Sequence, residues 1–274
     1  MKKDGPKILI FDIETAPMLA YVWSIWDQNV GLNQIKQDWH LLSWSAKWLQ
    51  SEDRKRLYGP HSKIMYMDQS KEKVLTNDKK ILEGIWKLLD EADIVITQNG
   101  VKFDSKKLNA RFVLNGMQPP SSYKHIDTFQ IAKRYFGFTS NKLEYMSDKL
   151  CVKYKKQTKR KYSGFELWKE CLSGNKDAWR EMQKYNKYDV LSLEELYHKL
   201  IPWDNSINFD IYREDHEITC KCGSKEFQRN GYFYTATAKY QRFKCSKCGS
   251  ETRSRKNLLS KEKNETIRAK TIRT

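Results

Sequence analysis

Four acidic residues have the side chains that could share two divalent cations: Asp12, Glu14, Asp104 and Asp189. Hydrolysis of a phosphodiester needs a hydroxide in line with the leaving oxygen, and it needs cations that neutralise the developing charge. Two metal ions about 4 Å apart supply both. Hard cations such as Mg²⁺ or Mn²⁺ take carboxylate oxygens as ligands. These residues therefore predict metal-dependent hydrolysis of a phosphodiester with two metal ions in the site.

The first pair of acids follows a short apolar run. Ile8–Phe11 is typical of a buried central strand, and Asp12 and Glu14 come directly after it. Residues two apart on a strand project to the same face, so both carboxylates can point into one site. Burial beside a core makes unpaired carboxylates costly, and such groups require a cation or a hydrogen-bond donor. We therefore expect a strand whose end opens at the site.

The other two acids occupy different local contexts. Asp104 follows Asn99-Gly100 and the apolar strand Ile94–Ile96, where a strand-to-helix junction could aim it at the same cleft. Taken alone, a helix N-cap explains this aspartate equally well. Tyr185 and Asp189 are four residues apart and share one face of a predicted helix. The tyrosine hydroxyl could then position an attacking water while Asp189 binds metal.

The elements that must position these residues are strands in the first part of the chain and helices in the later part. Apolar patterns predict strands at Leu41–Leu49, at Arg56–Tyr58 as an antiparallel partner, and at Asp93–Thr97. Spacings of three and four predict helices at Asp78–Glu91 with Asn77 as cap, from Ser105, at Thr128–Phe136, at Lys142–Leu150, and at Asn175–Leu200 in two pieces. Sheet first and helices later predict an α/β fold.

Three segments in this order resemble the exonuclease motifs of the DEDD superfamily: Phe11–Thr15, Asn99–Asp104 and Tyr185–Asp189. The tyrosine places the chain in the DEDDy branch. His125–Thr128 and Ser140–Leu143 also resemble segments of this superfamily between the second and third motifs. Gly164–Trp168, followed by Tyr185–Asp189, is similar to stand-alone, phage-type exonucleases of the ribonuclease H-like group. The resemblance spans residues 7 to 200. It departs from the pattern at Gln98, where many relatives carry histidine.

The resemblance implies a ribonuclease H-like mixed sheet flanked by helices and a 3′–5′ exonuclease, with single-stranded DNA as the expected substrate. The metal ligands would be Asp12, Glu14, Asp104 and Asp189, and Tyr185 would orient the attacking water. Nucleic-acid contacts are implied at Asn99, Asn141 and Lys142. A role in DNA replication follows from the same resemblance, so replication or repair proteins could act as partners.

Two cysteine pairs near the end resemble a zinc ribbon, a small β module in which a hairpin joins two metal-binding turns. Cys220 and Cys222 precede a 22-residue insert, and Cys245 and Cys248 follow it. Four thiolates satisfy tetrahedral Zn²⁺ without an open position, so we expect a structural zinc ion. Only one residue separates the first pair, and His216 could substitute for one of its cysteines.

The insert between the cysteine pairs interleaves basic and aromatic residues. We expect four of its basic residues to contact nucleic acid: Arg229, Lys239, Arg242 and Lys244. Its tyrosines could stack on bases. A module this small could equally use them as its own core.

The composition sets the partner class and the organisation. A formal charge of +17 on 274 residues favours polyanions, so DNA or RNA is the expected partner. No apolar stretch approaches the roughly 20 residues that span a bilayer. We therefore expect no membrane contact. The expected location is the cytoplasm of a bacterium or of a phage-infected host cell. The predicted domains are a nuclease domain at 1–204, the zinc ribbon at 213–256 and a basic flexible tail at 257–274.

Two other functions fit the same residues. A structure-selective endonuclease or ribonuclease could use this fold, because the surrounding surface sets specificity. A catalytically inactive protein could bind nucleic acid through the zinc ribbon, the basic tail and the basic loop Lys153–Lys161. The choice between DNA and RNA stays open because both offer the same phosphate chemistry.

Overall fold

A computed structural model of the protein describes residues 5–49, 63–155, 161–214 and 217–269. The chain forms two compact units, Pro6–Leu200 and Ile201–Thr274 together with Met1–Gly5. We call them the core unit and the C-terminal unit. Within the described ranges, no helix has both the length and the apolar character needed to cross a membrane. The finer domain limits expected at 204, 213 and 257 stay predictions.

The core unit begins with strands, continues with alternating helices and strands, and ends with helices. Its described strands are β1 (Ile8–Thr15), β2 (Leu19–Ala20), β3 (Ile35–Gln37), β4 (Leu41–Trp48), β5 (Met65–Asp68), β6 (Ile94–Thr97) and β7 (Lys124–Asp127). Its described α-helices are α1 (Lys79–Glu91), α2 (Asp104–Leu114), α3 (Thr128–Tyr135), α4 (Leu143–Leu150), α5 (Glu166–Leu172) and α6 (Lys176–Leu200). A 3-10 turn lies at Leu32–Gln34.

Five of these strands form one mixed sheet in the order β5-β4-β1-β6-β7. Strand β1 pairs antiparallel with β4 and parallel with β6, and β6 pairs parallel with β7. The carboxyl ends of β1, β6 and β7 therefore meet at one edge of the sheet. The mixed sheet flanked by helices confirms the predicted ribonuclease H-like α/β fold.

The central position of β1 explains its continuous apolar run. Leu9, Phe11 and Ile13 belong to a buried cluster that also contains apolar residues of α1 and α2. Long helix α6 packs against β1 and β4, and its Met182 belongs to a second cluster that also holds Leu42 of β4. A strand covered by helices in this way cannot shift its register without exposing its apolar side chains.

Most predicted elements are found with small changes at their ends. The segment Asn175–Leu200, predicted in two pieces, contains a single helix from Lys176 to Leu200. The predicted strand Arg56–Tyr58 lies outside the described residues, and so does most of the basic loop. On the far side of β4 from β1, the described antiparallel neighbour is β5.

The described part of the C-terminal unit is a small β module with flanking helical turns. It contains a 3-10 turn (Phe209–Tyr212) and strands β8 (Phe227–Tyr234), β9 (Lys239–Cys245) and β10 (Glu251–Arg253). The strands form an antiparallel sheet in the order β10-β9-β8. The expected C-terminal β module is therefore present. A short helix, α7 (Lys261–Thr266), lies inside the segment expected to be a flexible tail.

A buried ion pair connects three elements of the core unit. Asp78, rather than Asn77, is the N-cap residue of α1, and its carboxylate makes no capping bond. The Asp78 carboxylate instead accepts hydrogen bonds from Arg111 Nε and Nη2 of α2, at 2.7 and 2.6 Å, and from the backbone N of Leu41 at 2.8 Å. This two-pronged geometry holds α1, α2 and the start of β4 together.

Replacing Asp78 with alanine should strongly destabilise the fold. The substitution leaves the largely buried Arg111 cation and the Leu41 N–H without their acceptor, and breaking a buried pair costs about 3–5 kcal/mol. Urea unfolding followed by circular dichroism measures the loss. The matched control is Asp177→Ala, which removes the exposed ion pair with Lys161 and should leave stability unchanged. Equal midpoints for the two variants would contradict the role given to Asp78.

Candidate active site

Three carboxylates converge where α6 crosses β1. One carboxylate oxygen from each of Asp12, Glu14 and Asp189 lies within 4.8 Å of the other two. Asp12 and Glu14 project to the same face of β1, and α6 packs against this strand. Like charges this close repel each other strongly at a partly buried site. The arrangement therefore fits a divalent cation, which would offset the repulsion.

Asp104 lies beside this group but is not one of the three. Its Oδ1 accepts a hydrogen bond of 3.3 Å from the backbone N of Ile13, the residue between Asp12 and Glu14. Burial, with a smaller contribution from the nearby charge of Asp127, outweighs the hydrogen bonds that lower the pKa of Asp104, and the net effect raises this pKa to about 7. A neighbouring cation would favour the ionised carboxylate. The structure thus attaches Asp104 to the strand that carries the first two acids.

A tight turn after β6 sets the position of Asp104. The Asp127 carboxylate, at the end of β7, accepts hydrogen bonds from the backbone N of Asn99 at 2.8 Å and of Val101 at 3.2 Å. Asn99 has a left-handed backbone with φ of 63°. A Cβ atom at Gly100 would lie 2.2 Å from Thr97 Oγ1, so only glycine fits there. Asp127 therefore acts by holding the loop that leads into α2.

A buried asparagine that the sequence analysis did not single out contacts the site. Asn186 has no exposed surface, and its Nδ2 donates a hydrogen bond of 2.6 Å to Asp12 Oδ2. Ser43 Oγ on β4 lies 3.4 Å from Asn186 Oδ1, which leaves the amide little freedom to turn. The available signal was the spacing of three between Asn186 and Asp189, which places both on neighbouring positions of one helix face.

Tyr185 lies one helical turn before Asp189 on α6. Its ring meets the Trp168 ring of α5 edge to face, with 6.0 Å between the centroids and 76° between the planes. An edge-to-face contact of this kind restricts the orientation of the tyrosine. The role of Tyr185 in orienting water stays a prediction.

The residues expected to touch nucleic acid in the core unit lie on two neighbouring loops. Gln98 joins the loops, since its Nε2 donates a hydrogen bond of 2.8 Å to the backbone O of Asn141. Gln98 Oε1 accepts a hydrogen bond of 2.5 Å from Thr128 Oγ1. Lys142 is exposed at the start of α4. Gln98 therefore has a structural task here, and the contacts expected of Asn99, Asn141 and Lys142 stay predictions.

The four cysteines of the C-terminal unit form a second cluster. Cys220 Sγ lies 3.5 Å from Cys248 Sγ, and Cys222 Sγ lies 3.7 Å from Cys245 Sγ. A tetrahedron of sulfur ligands at about 2.3 Å from zinc has edges of about 3.8 Å. Both cysteines of the first pair therefore belong to the cluster, although only one residue separates them. His216 lies outside the described residues.

The sheet of the C-terminal unit exposes the aromatic residues at the end of β8. Tyr232 and Tyr234 are exposed, so they are not the core of the module. Lys239 Nζ lies 3.8 Å from the centroid of the Tyr232 ring. Arg242 donates a hydrogen bond of 2.7 Å to the backbone O of Asn230 and has a structural role as well. Arg229 and Lys244 are exposed.

The comparisons with known proteins bear on the core unit. A family model described as the RNase_H superfamily matches residues 47–201, which include Asp104, Tyr185 and Asp189 but not Asp12 or Glu14. No curated protein sequence matches the chain. A solved structure, the family B DNA polymerase from the hyperthermophilic archaeon Pyrobaculum calidifontis, has a similar fold with a TM-score of 0.50 and 14% identity.

The alignment with that polymerase covers 72% of this chain and 25% of the polymerase chain. The chain therefore spans about a quarter of that protein, and the low identity shows a shared fold alone. The superfamily match supports a nuclease-type activity with nucleic acid as the substrate. Because the family model covers more than half of the 274 residues, this protein belongs to the RNase_H superfamily.

Proposed function

We propose that the protein is a metal-dependent 3′–5′ exonuclease of the DEDDy type that hydrolyses single-stranded DNA. The observation that supports it best is the convergence of Asp12, Glu14 and Asp189 within 4.8 Å. Asp104 is hydrogen-bonded to the same strand, and Tyr185 lies one helical turn from Asp189. Asp189 lies 175 or more residues from Glu14 and Asp12 along the chain. Bringing these acids together in a folded core is costly without a partner such as a cation.

Each residue of the site has a distinct task in this proposal. Asp12, Glu14, Asp104 and Asp189 would hold two Mg²⁺ or Mn²⁺ ions. When bound, such ions activate a water molecule and neutralise the charge that develops on the phosphate. Tyr185 orients the attacking water through its hydroxyl. Asn186 acts as a positioning residue, because its amide fixes the rotamer of Asp12.

The cysteine cluster would hold a structural Zn²⁺ ion in the C-terminal unit. Both cysteine pairs lie in tight turns closed by backbone hydrogen bonds, from Gly223 to Cys220 and from Gly249 to Cys245. The hydrogen bond between Cys220 and Cys222 lowers the pKa of the Cys222 thiol and raises that of the Cys220 thiol, so it favours one thiolate in this pair. Bound zinc would favour the thiolate form of all four cysteines. The exposed cations Arg229 and Lys244 would then be presented to phosphates from a fixed sheet.

Asp12→Ala and Asp189→Ala should each lower the rate of nucleotide release by about a thousandfold, since metal ions contribute several kcal/mol to such reactions. A 5′-labelled single strand with Mn²⁺ measures the rate, and a ladder of shortened products shows 3′–5′ polarity. Asp90→Asn, which alters an exposed carboxylate hydrogen-bonded to Ser121, is the matched control. Wild-type rates in Asp12→Ala, or cleavage of a circular single strand, would refute the proposal.

Asn186→Ala should weaken metal binding at the site without removing a ligand. Loss of a residue that orients a ligand costs roughly 10- to 100-fold in metal affinity. The Mn²⁺ concentration that gives half-maximal activity should rise accordingly, and saturating Mn²⁺ should restore much of the rate. Ser43→Ala removes the 3.4 Å contact on the far side of the amide but keeps the bond from Asn186 to Asp12, so it should raise the metal requirement far less. An unchanged metal requirement in Asn186→Ala would show that Asn186 has no positioning role.

Cys222→Ser should abolish zinc binding by the purified protein. Three thiolates and a hydroxyl bind Zn²⁺ far less tightly than four thiolates. Atomic emission should detect one zinc ion per wild-type chain and much less than one in the variant. Cys151→Ser, which changes a buried thiol of the core unit, should retain the metal. Zinc-free wild-type protein that is fully folded would disprove a structural zinc site.

A further inference from the structure

The long connection between β1 and β4 carries an exposed aromatic surface that the proposed chemistry does not use. We call Met18–Gln37 the tryptophan ribbon. It leaves the sheet just beyond Glu14 and Thr15, and it returns to β4 at Leu41. Within it, β2 and β3 pair antiparallel and form a narrow stem. Its entry therefore lies at the end of the strand that carries two of the candidate metal ligands.

The large side chains at the tip of the ribbon are almost fully exposed. Trp23 is 97% exposed, Trp26 81%, Ile25 87% and Leu32 88%. Together these side chains place a large apolar area in water, at a cost of roughly 25 cal/mol per Å² compared with burial. Contiguous exposed apolar residues of this size mark contact surfaces. A ligand for this surface must offer flat or apolar groups to the two indoles.

Hydrogen bonds within the ribbon hold the tip in a defined shape. Tyr21 N donates to Gln34 O at 2.9 Å, and Gly31 N donates to Gln34 Oε1 at 2.8 Å. At the tip, Ser24 Oγ and Gln28 Nε2 both donate to the backbone O of Trp26, at 2.9 and 3.0 Å. The indoles are thus presented by an ordered scaffold, which reduces the entropy lost on binding.

The charges of the ribbon decide what it can contact. Between Met18 and Ile35 the sequence has one acid, Asp27, and neither lysine nor arginine. The tip therefore cannot grip phosphates. Cations occur where the ribbon joins the core unit, since Lys36 Nζ lies 5.9 Å from the Tyr21 ring and Lys107 Nζ lies 3.6 Å from the Trp39 ring. This arrangement suits a single-stranded nucleic acid, whose phosphates would lie along the lysines and whose bases would stack on the aromatic rings.

We propose that Trp23 and Trp26 form a stacking surface for unpaired bases of the nucleic acid whose 3′ end enters the carboxylate site. The inference rests on the proposed function, because the continuity of the ribbon with the Glu14 strand is what selects nucleic acid over a protein partner. Stacking on an indole requires an unpaired base. The ribbon would therefore make the enzyme prefer single-stranded ends, upstream of the nucleotide being removed.

The test measures binding without hydrolysis. Fluorescence anisotropy with a labelled oligodeoxythymidylate of about 15 nucleotides, in buffer without Mg²⁺ or Mn²⁺, reports affinity across a range of salt concentrations. Trp23→Ala with Trp26→Ala should lower the affinity at least about tenfold, since each stacked base contributes about 1–3 kcal/mol. The slope against salt should not change, because the two substituted indoles are uncharged and release no counter-ions. Trp23→Phe with Trp26→Phe should restore much of the binding.

A matched control is Trp203→Ala, which removes a tryptophan that is 55% exposed in the C-terminal unit and should leave the affinity unchanged. Equal affinity for wild type and the double alanine variant overturns the inference. The inference would also be overturned if the wild type self-associates and the double alanine variant loses this self-association while it still binds the oligonucleotide. That result would assign the ribbon to protein contacts.

Failure of the proposed function would give a different result. Hydrolysis of bis(p-nitrophenyl) phosphate with Mn²⁺ needs the carboxylates but no bases. If the wild type fails to hydrolyse this ester, the nuclease proposal is refuted. If the double alanine variant still binds the oligonucleotide more weakly than the wild type does, the stacking surface is retained. Normal ester hydrolysis by the double variant, together with weak strand binding, is the outcome expected if both proposals hold.

Discussion

Mutual repulsion between Asp12, Glu14 and Asp189 is the constraint on which the rest of the core unit depends. Three carboxylates within 4.8 Å stay together only if the backbone that carries them cannot move apart. Strand β1 meets this requirement because it lies in the middle of the sheet, with paired strands on both sides and apolar helices packed against it. The stability of the apolar core therefore offsets the electrostatic cost of the site, as in many functional sites.

Much of the site could be predicted from sequence because its signals are local. Asp12 and Glu14 follow from the alternation of side chains along a strand, and Tyr185 and Asp189 follow from one helical turn. Asp104 follows from its place after a strand, although the sequence could not exclude an N-cap. The structure makes Phe103 the N-cap and Asp104 the first helical residue.

Other features depend on contacts between distant residues, which no local pattern encodes. Asn186 faces Asp12 only because α6 crosses β1 at this level, and 174 positions separate the two along the chain. Asp78 was expected inside a helix capped by Asn77, but a partner 33 residues away on α2 decides its conformation. The exposure of Tyr232 and Tyr234 could not be predicted, because stacking surfaces and small cores use the same residue types.

The continuity of α6 has a consequence for how the protein can vary. One unbroken helix carries Met182 in the core, Asn186 against Asp12, and Asp189 in the carboxylate group. Each added or deleted residue would turn everything beyond it by about 100° about the helix axis. Between Met182 and Asp189 the polypeptide can therefore change its side chains but not its length, so insertions belong before Lys176 or after Leu200.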